Sequence, residues 1–149
     1  MSRRTLDIDQ HYFIRAPLSR VFAALTEPRW LSRWFLASAR IRPVAGSSYT
    51  FRWQGGHSHS GRVVEVVPNH RLTLTWPNRV NRVTRETRVT FELSQKGRGT
   101  LLRVHHVGYP SAVRWLPTYG ATQCGWAYFS VNLRSVLENG HDLRSRWDY

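Results

Sequence analysis

Apolar and polar residues alternate along several segments of this chain, and a period of two predicts half-buried β-strands. The clearest case is 49–53, where Tyr49, Phe51 and Trp53 share one face and polar residues occupy the other. Short stretches rich in Gly, Asn and Pro separate the segments and predict turns. The predicted strands cover residues 8–14, 38–42, 49–53, 60–67, 71–76, 84–93 and 100–107.

Other apolar residues have helical spacing. Residues 16–25 predict a short helix with Pro17 in its first turn, and a second short helix follows with Thr26 as its N-cap. Residues 121–138 predict one long helix that stops at Gly140. The apolar stripe of that helix comprises Trp126, Phe129, Leu133, Val136 and Leu137.

The predicted order is therefore one strand, two short helices, about six strands and a long helix. An antiparallel sheet with one hydrophobic face needs a covering element. The terminal helix is the only predicted element long enough to supply it, which indicates an α+β fold.

Length and composition limit the class of protein. The chain has 149 residues, 41% of them hydrophobic and seven of them Trp, which predicts a single domain over 1–149 with a core of about 8–140 and short tails. This aromatic content excludes a disordered basic tail, and no apolar run approaches the roughly 18–20 residues that span a bilayer. The N-terminus lacks the apolar region of a signal peptide. A single cysteine, Cys124, excludes an internal disulfide, so we expect a cytoplasmic protein.

The charge initially suggests a polyanionic partner. Lys and Arg number 22 against nine acids, for a net charge of +13. The bases are scattered, however, and the densest group, Arg79, Arg82, Arg85 and Arg88, alternates between strand faces instead of forming one stripe. Since no nucleic-acid-binding motif accompanies it, we do not expect nucleic acid as the partner.

Several short motifs recur in a characteristic order. They are IRAP at 14–17, LTEP at 25–28, LSRWF at 31–35, GRVVEVVP at 61–68, RLTLTW at 71–76, VTFEL at 89–93, GTLL at 99–102, HVG at 106–108 and GW at 125–126. In this order they resemble the START-like (SRPBCC) superfamily over roughly residues 8–140. The similarity is greatest to the branch related to the activator of the heat-shock-90 ATPase, the AHSA-type domain.

The resemblance implies a helix-grip fold, in which a curved antiparallel sheet of about six to seven strands surrounds a long C-terminal helix and leaves a cavity between them. It implies no single activity, because the superfamily includes ligand carriers, polyketide cyclases and co-chaperones. One departure is that Gly46 is followed by Ser47, where relatives often carry a Gly-Gly pair.

The inward strand and helix faces predict the cavity lining. An aromatic pocket of this kind suits a small apolar or aromatic ligand, although the same side chains could instead fill a solid core. The predicted lining residues are Trp34, Phe35, Tyr49, Phe51, Trp53, Leu74, Trp76, Arg85, Val89, Phe91, His106, Trp126 and Phe129.

Among these, Tyr49, Arg85 and His106 are the candidate polar anchors for a ligand. His106 has a second interpretation as a hydrogen-bonded core histidine. Arg85 could instead pair with Glu65 or end in solvent.

Catalytic and metal-binding motifs are not recognisable. His57 and His59 have the spacing of two ligands on one strand face, but a metal site needs more ligands, and we expect an exposed histidine pair. No base is identifiable as a partner of Cys124. We expect no catalytic residues, metal or cofactor.

Two further functions remain open beside ligand binding. One is a cyclase- or aromatase-like enzyme in which His106 or Tyr128 moves protons. The other is a co-chaperone-like interaction module that binds an acidic protein through its cationic surface. The sequence leaves monomer and dimer equally open.

Overall fold

The computed structural model describes residues 4–146, and the predicted tail residues Trp147 and Tyr149 lie outside this range. Seven strands form one antiparallel sheet, accompanied by three α-helices. The strands are β1 Thr5–Ile14, β2 Ser38–Arg40, β3 Ser48–Arg52, β4 Ser58–Val67, β5 Arg71–Val80, β6 Val83–Lys96 and β7 Gly99–Pro110. The helices are α1 Leu18–Thr26, α2 Pro28–Trp34 and α3 Leu116–Asn139.

The sheet has the strand order β1-β7-β6-β5-β4-β3-β2. Each strand from β2 to β7 pairs with the next, and β1 then pairs with β7 at the opposite edge from β2. Helices α1 and α2 make the connection from β1 to β2, and α3 packs against the apolar face. This is the helix-grip fold that the family resemblance implied.

The apolar stripe of α3 is confirmed as a buried face. Trp126, Leu133, Val136 and Leu137 are buried in the same core as the inward residues of the sheet. The helix ends as predicted at Gly140, whose φ of +67° places it in the left-handed region that favours glycine after a helix. None of the helices within residues 4–146 combines the length and apolarity that a bilayer crossing requires.

Several elements extend beyond their predicted bounds. The β5–β6 hairpin continues to a two-residue turn at Asn81 and Arg82, where both φ angles are positive. Helix α3 begins five residues before the predicted start, at Leu116, with Pro117 in its first turn. Proline is compatible with that position because the first helical N–H groups have no intrahelical acceptor.

The prediction of Thr26 as a helix N-cap is wrong. Its hydroxyl donates to the carbonyl of Phe22 at 2.9 Å, so Thr26 belongs to the last turn of α1. Glu27 occupies the N-cap of α2 with an extended backbone, and Pro28 follows as the first helical residue. A threonine next to Glu-Pro is compatible with either position, and the bond from its hydroxyl to the Phe22 carbonyl decides between them.

Candidate functional site

A small cavity lies between the sheet and α3. It has a volume of about 150 Å³. Its walls are predominantly aromatic, and two smaller residues of α3 complete its lining. The lining residues are Phe35, Trp53, Trp76, Thr122, Gly125, Trp126 and Phe129.

Four different parts of the fold position the aromatic walls. Phe35 follows α2 directly, and Trp53 follows β3 at the start of a glycine-containing turn. Trp76 points from β5 toward α3 because it shares the inward parity of Leu72 and Leu74. Trp126 and Phe129 project from α3 at a spacing of three, which places them on one helix face.

The five aromatic rings contact one another around the cavity. Phe35 is in the middle, with ring centroids 5.4 Å from Trp53, 5.5 Å from Trp126 and 4.8 Å from Phe129. Trp76 connects the other side, 6.3 Å from Trp53 and 5.2 Å from Trp126. Because each wall supports its neighbours, the pocket is held by packing and not by a single flexible loop.

The structure brings five of the predicted lining residues to this cavity. These are Phe35, Trp53, Trp76, Trp126 and Phe129. The other eight do not line it: Tyr49, Phe51, Leu74, Val89, Phe91 and His106 are buried elsewhere in the core, Trp34 stacks behind Phe35, and Arg85 is exposed. Strand parity identifies the inward face, but only the position of α3 determines which inward residues border a void.

Sequence reasoning missed Thr122 and Gly125. Both are half-buried on α3, and Thr122 lies one turn before Trp126 on the same face. Helical periodicity could have identified them, but the apolar stripe was defined by large hydrophobic residues alone. A Cβ added at Gly125 would meet no atom within 4 Å. Because glycine has no side chain, the space beside Gly125 remains open.

His106 is a hydrogen-bonded core histidine. The indole N–H of Trp126 donates to His106 Nδ1 at 2.9 Å, and His106 Nε2 lies 2.7 Å from Thr87 Oγ1. Thr87 donates its own proton to the carbonyl of Trp76 at 2.6 Å. Thr87 must therefore accept from His106, which assigns a neutral imidazole with its proton on Nε2.

This environment holds His106 in the neutral form. Burial lowers its pKa to about 3, with smaller contributions from His59 and His105. Since Trp126 and Thr87 occupy both ring nitrogens, neither nitrogen is free to move a proton for a molecule in the cavity. Of the two interpretations that the sequence left open for His106, a ligand anchor or a hydrogen-bonded core histidine, the structure fits the second.

Tyr49 also lacks a free polar group. Its hydroxyl donates to the carbonyl of Thr75 at 2.5 Å and lies 3.0 Å from His59 Nε2. Burial raises the pKa of Tyr49. Tyr49 is therefore a core residue and not an exposed ligand anchor.

The two histidines of the 57–59 segment have different environments. His57 is exposed, whereas His59 is half-buried with its ring centroid 4.1 Å from that of Trp76. Burial lowers the pKa of His59 to about 4. The expectation of an exposed pair is therefore wrong for His59, which packs behind a cavity wall. Within residues 4–146, no three His, Cys, Asp or Glu side chains gather as metal ligands.

Arg85 does not reach the cavity. It pairs in register with Asn78 on the β5–β6 hairpin, beyond the buried Thr87, and its side chain is exposed. Glu65, its predicted alternative partner, binds Arg71 at 3.0 Å. The prediction of Arg85 as a lining residue is wrong. The inward face of β6 continues beyond the part of the sheet that α3 covers, and Arg85 lies there, exposed to solvent.

Comparison with solved structures supports the fold independently. A Mesorhizobium loti protein, MLL2253, aligns with a TM-score of 0.76 at 24% identity over 98% of this chain and 100% of its own. Aha1 from Colwellia psychrerythraea, solved as a dimer, aligns with a TM-score of 0.77 at 23% identity over 91% and 98%. DynU16, from the dynemicin biosynthetic locus, aligns with a TM-score of 0.76 at 22% identity over 90% of this chain but only 48% of its own.

Sequence comparison provides the family. No protein with curated function matches the chain significantly. The model of the family described as activator of Hsp90 ATPase homolog 1-like protein matches residues 15–138, which include α1, α2, all strands from β2 to β7 and nearly all of α3. Because this match spans most of the helix-grip fold, the chain belongs to that family.

Proposed function

We propose that this protein binds a small apolar or aromatic ligand in the cavity between its sheet and α3. The observation that carries the proposal is the lining itself, in which five of the seven residues are aromatic. Ligand sites typically combine such apolar walls with few polar groups. A filled core would leave no such space against the half-buried face of the last helix.

The cavity size limits the buried part of the ligand. A volume of about 150 Å³ matches the engineered apolar cavities that admit benzene. The occupant therefore buries one ring or a group of similar bulk, and any longer ligand extends out of the cavity.

Contact with the walls, and not hydrogen bonding, is expected to dominate recognition. Trp126 uses its indole N–H on His106, and the Thr122 hydroxyl donates to the carbonyl of Thr118 at 2.8 Å. Thr122 also lies 3.0 Å from the Tyr109 hydroxyl. The Trp126 indole N–H and the Thr122 hydroxyl are thus already engaged within the protein.

The proposal can be tested by filling the cavity from α3. Gly125→Leu places a side chain into the open space beside the cavity, and Gly120→Leu makes the same change at a glycine of α3 outside the lining. We expect single-ring ligands such as indole and toluene to raise the Tm of the wild type and of Gly120→Leu, but not of Gly125→Leu.

Two results would contradict the proposal. The first is a panel of apolar and aromatic compounds that shifts the Tm of none of the three proteins. The second is an equal shift in Gly125→Leu, because ligand would then bind outside this cavity.

A second candidate function rests on the β5–β6 hairpin. Arg79, Arg82, Arg85 and Arg88 are exposed there, and none of them forms an ion pair with an acid among the described residues. Such a surface fits an acidic protein partner. Association would then weaken steeply with salt and with Arg→Ser changes at these four positions, while Arg→Ser at the exposed Arg20 and Arg29 would have little effect.

A further inference from the structure

We propose that the group bound in this cavity is a fully alkylated ammonium, such as the trimethylammonium end of a ligand. This inference rests on the proposed function, since it requires that the cavity bind a ligand. It narrows the ligand class from the shape of the walls, their hydrogen-bond state and their charge.

The orientation of the walls favours a compact, rounded group over a flat ring. The planes of Phe35 and Trp53 meet at 85°, those of Trp53 and Trp76 at 79°, and those of Trp76 and Trp126 at 57°. Phe129 meets Phe35 at 70°. Trp126 is tilted by 40° against Phe35, so no two contacting walls lie parallel. Aromatic cages that bind methylated ammonium groups have walls at such angles, whereas a flat ligand is best held between parallel rings.

The hydrogen-bond state of the walls selects against ammonium groups that carry N–H. A primary ammonium has three donors that need acceptors. Thr122 is the lining residue with a hydroxyl, and this hydroxyl already bonds with Thr118 and Tyr109. A quaternary ammonium has no N–H and spreads its charge over methyl groups, so aromatic faces satisfy it without any acceptor.

The cavity walls carry no formal charge that would repel a cation. The lining contains no Arg or Lys. His59 and His106, which lie behind Trp76 and Trp126, are neutral near pH 7 because burial holds their pKa values well below that pH. The chain's net charge of +13 opposes a cation only through surface arginines, and salt screens that field over about 8 Å at physiological ionic strength.

Calorimetric titration with two ligands of the same shape tests the proposal. Choline carries a trimethylammonium group, and 3,3-dimethylbutan-1-ol replaces its nitrogen with carbon. We expect choline to bind about tenfold more tightly, since a desolvated cation gains from several ring faces at once. Because the surface field opposes it, choline affinity should hold or rise as salt increases from low to physiological concentration.

A matched pair of variants ties the effect to the cage. Trp53→Leu removes a half-buried wall, and Trp30→Leu removes a tryptophan that packs outside the cavity beside Arg33. We expect Trp53→Leu to lose the preference for choline over its neutral isostere and Trp30→Leu to keep it. Trp53→Phe, which retains a weaker ring face, should show an intermediate preference and serves if the leucine variant does not fold.

The outcomes separate this inference from the proposed function. Equal binding of choline and its isostere, or binding of indole and toluene without choline, overturns the ammonium assignment and leaves apolar ligand binding intact. If neither choline nor the apolar panel binds, both proposals are wrong. A choline affinity that falls steeply with salt also overturns the assignment, because the cation would then be held by surface acids.

Discussion

Trp126 of α3 donates its indole N–H to Nδ1 of His106 in β7 at 2.9 Å, across the interface between helix and sheet. The same indole lines the cavity and, through its N–H, anchors the helix to the buried strand. Thr87 completes the arrangement from β6 by accepting from His106 Nε2. The position of one cavity wall thus depends on the protonation state of a histidine that does not touch the cavity.

The first prediction concerns acid stability. The folded pKa of His106 lies at about 3, below the ordinary value of 6.5, so the unfolded state binds its proton first. The resulting stabilisation is complete above pH 6.5 and is lost as the pH falls toward 3, at about 1.4 kcal/mol for each pKa unit. Urea unfolding across this range should show a flatter pH dependence in His106→Gln.

Two other histidines serve as references for this measurement. His59 has a folded pKa of about 4, so His59→Gln should flatten the same range to a smaller degree. His70 is exposed, and His70→Gln should leave the wild-type slope. A slope in His106→Gln equal to that of the wild type would contradict the buried neutral assignment.

The second prediction concerns Gly61, which pairs with Tyr49 across β3 and β4. A Cβ at this position would lie 2.7 Å from the carbonyl oxygen of Thr75 and 2.7 Å from the Tyr49 ring. We expect Gly61→Ala to lower the free energy of unfolding by about 1–3 kcal/mol, because neither the strand nor the packed ring can retreat.

The same substitution on α3 provides the comparison. An added Cβ at Gly120 meets nothing within 4 Å, so Gly120→Ala should stabilise the protein by about 0.5–1 kcal/mol through helix propensity. Chemical denaturation of both variants measures the difference, and equal stability of the two would show that the close approach at Gly61 is relieved.

The third prediction concerns the turn of the β5–β6 hairpin. Arg82 has a φ of +67°, and the two other non-glycine residues with positive φ among the described residues are asparagines. The left-handed conformation costs a side chain with a Cβ about 1–2 kcal/mol. Arg82→Gly should therefore raise the free energy of unfolding by about 1 kcal/mol, measured by denaturation.

Arg85 is the matched control for this change. It lies in the extended part of the same hairpin, where glycine gains nothing from conformational freedom and weakens the strand. Arg85→Gly should therefore lower stability. If both variants raise stability, relief of charge repulsion and not backbone conformation governs the hairpin. If Arg82→Gly lowers stability, the left-handed backbone at Arg82 is not the source of strain.

The fourth prediction concerns the Asp9–Arg103 ion pair on the outer face of the sheet. Arg103 binds both carboxylate oxygens of Asp9 at 2.9 Å, and this hydrogen bonding lowers the pKa of Asp9 from 3.8 to about 2. The stabilisation is present above pH 3.8 and is lost as the pH falls through 2. Stability measured between these values should fall less steeply in Asp9→Asn than in the wild type.

Asp7 on the same strand is the control. It is exposed and forms no ion pair with the described bases, so Asp7→Asn should retain the wild-type profile. Because both Asp9 and Arg103 are substantially exposed, added salt should shrink the difference between Asp9→Asn and the wild type. A difference that persists at 1 M salt would argue against a charge effect.

Strand parity and helical periodicity were sufficient to predict the order of elements and an α+β fold, and the family resemblance added the helix-grip arrangement. Alternation assigned Trp76 to the inward face of its strand, and spacing assigned Trp126 and Phe129 to one face of the long helix. These properties depend on neighbours in sequence, so a single chain contains them. The order of elements then left α3 as the only cover for the sheet.

The cavity required information that local patterns lack. Phe51 and Trp53 share one strand face, yet Phe51 is buried in the core and Trp53 borders the void. The difference arises from the distance between the sheet and α3, which many remote contacts set together. The prediction for Arg85 was wrong for a related reason, because the alternation of inward and outward side chains continues along β6 beyond the part that α3 covers.

The tryptophans of the cavity walls also provide an intrinsic spectroscopic signal for the site. Trp76 and Trp126 lie with ring centroids 5.2 Å apart, close enough for their indole transitions to couple. Trp53 is the third tryptophan of the cavity lining. The protein therefore carries an intrinsic chromophore array at the one place where a ligand is proposed to enter. Occupancy should register in near-ultraviolet circular dichroism and tryptophan emission without any added label, so that a search for the natural ligand can begin with the unmodified protein.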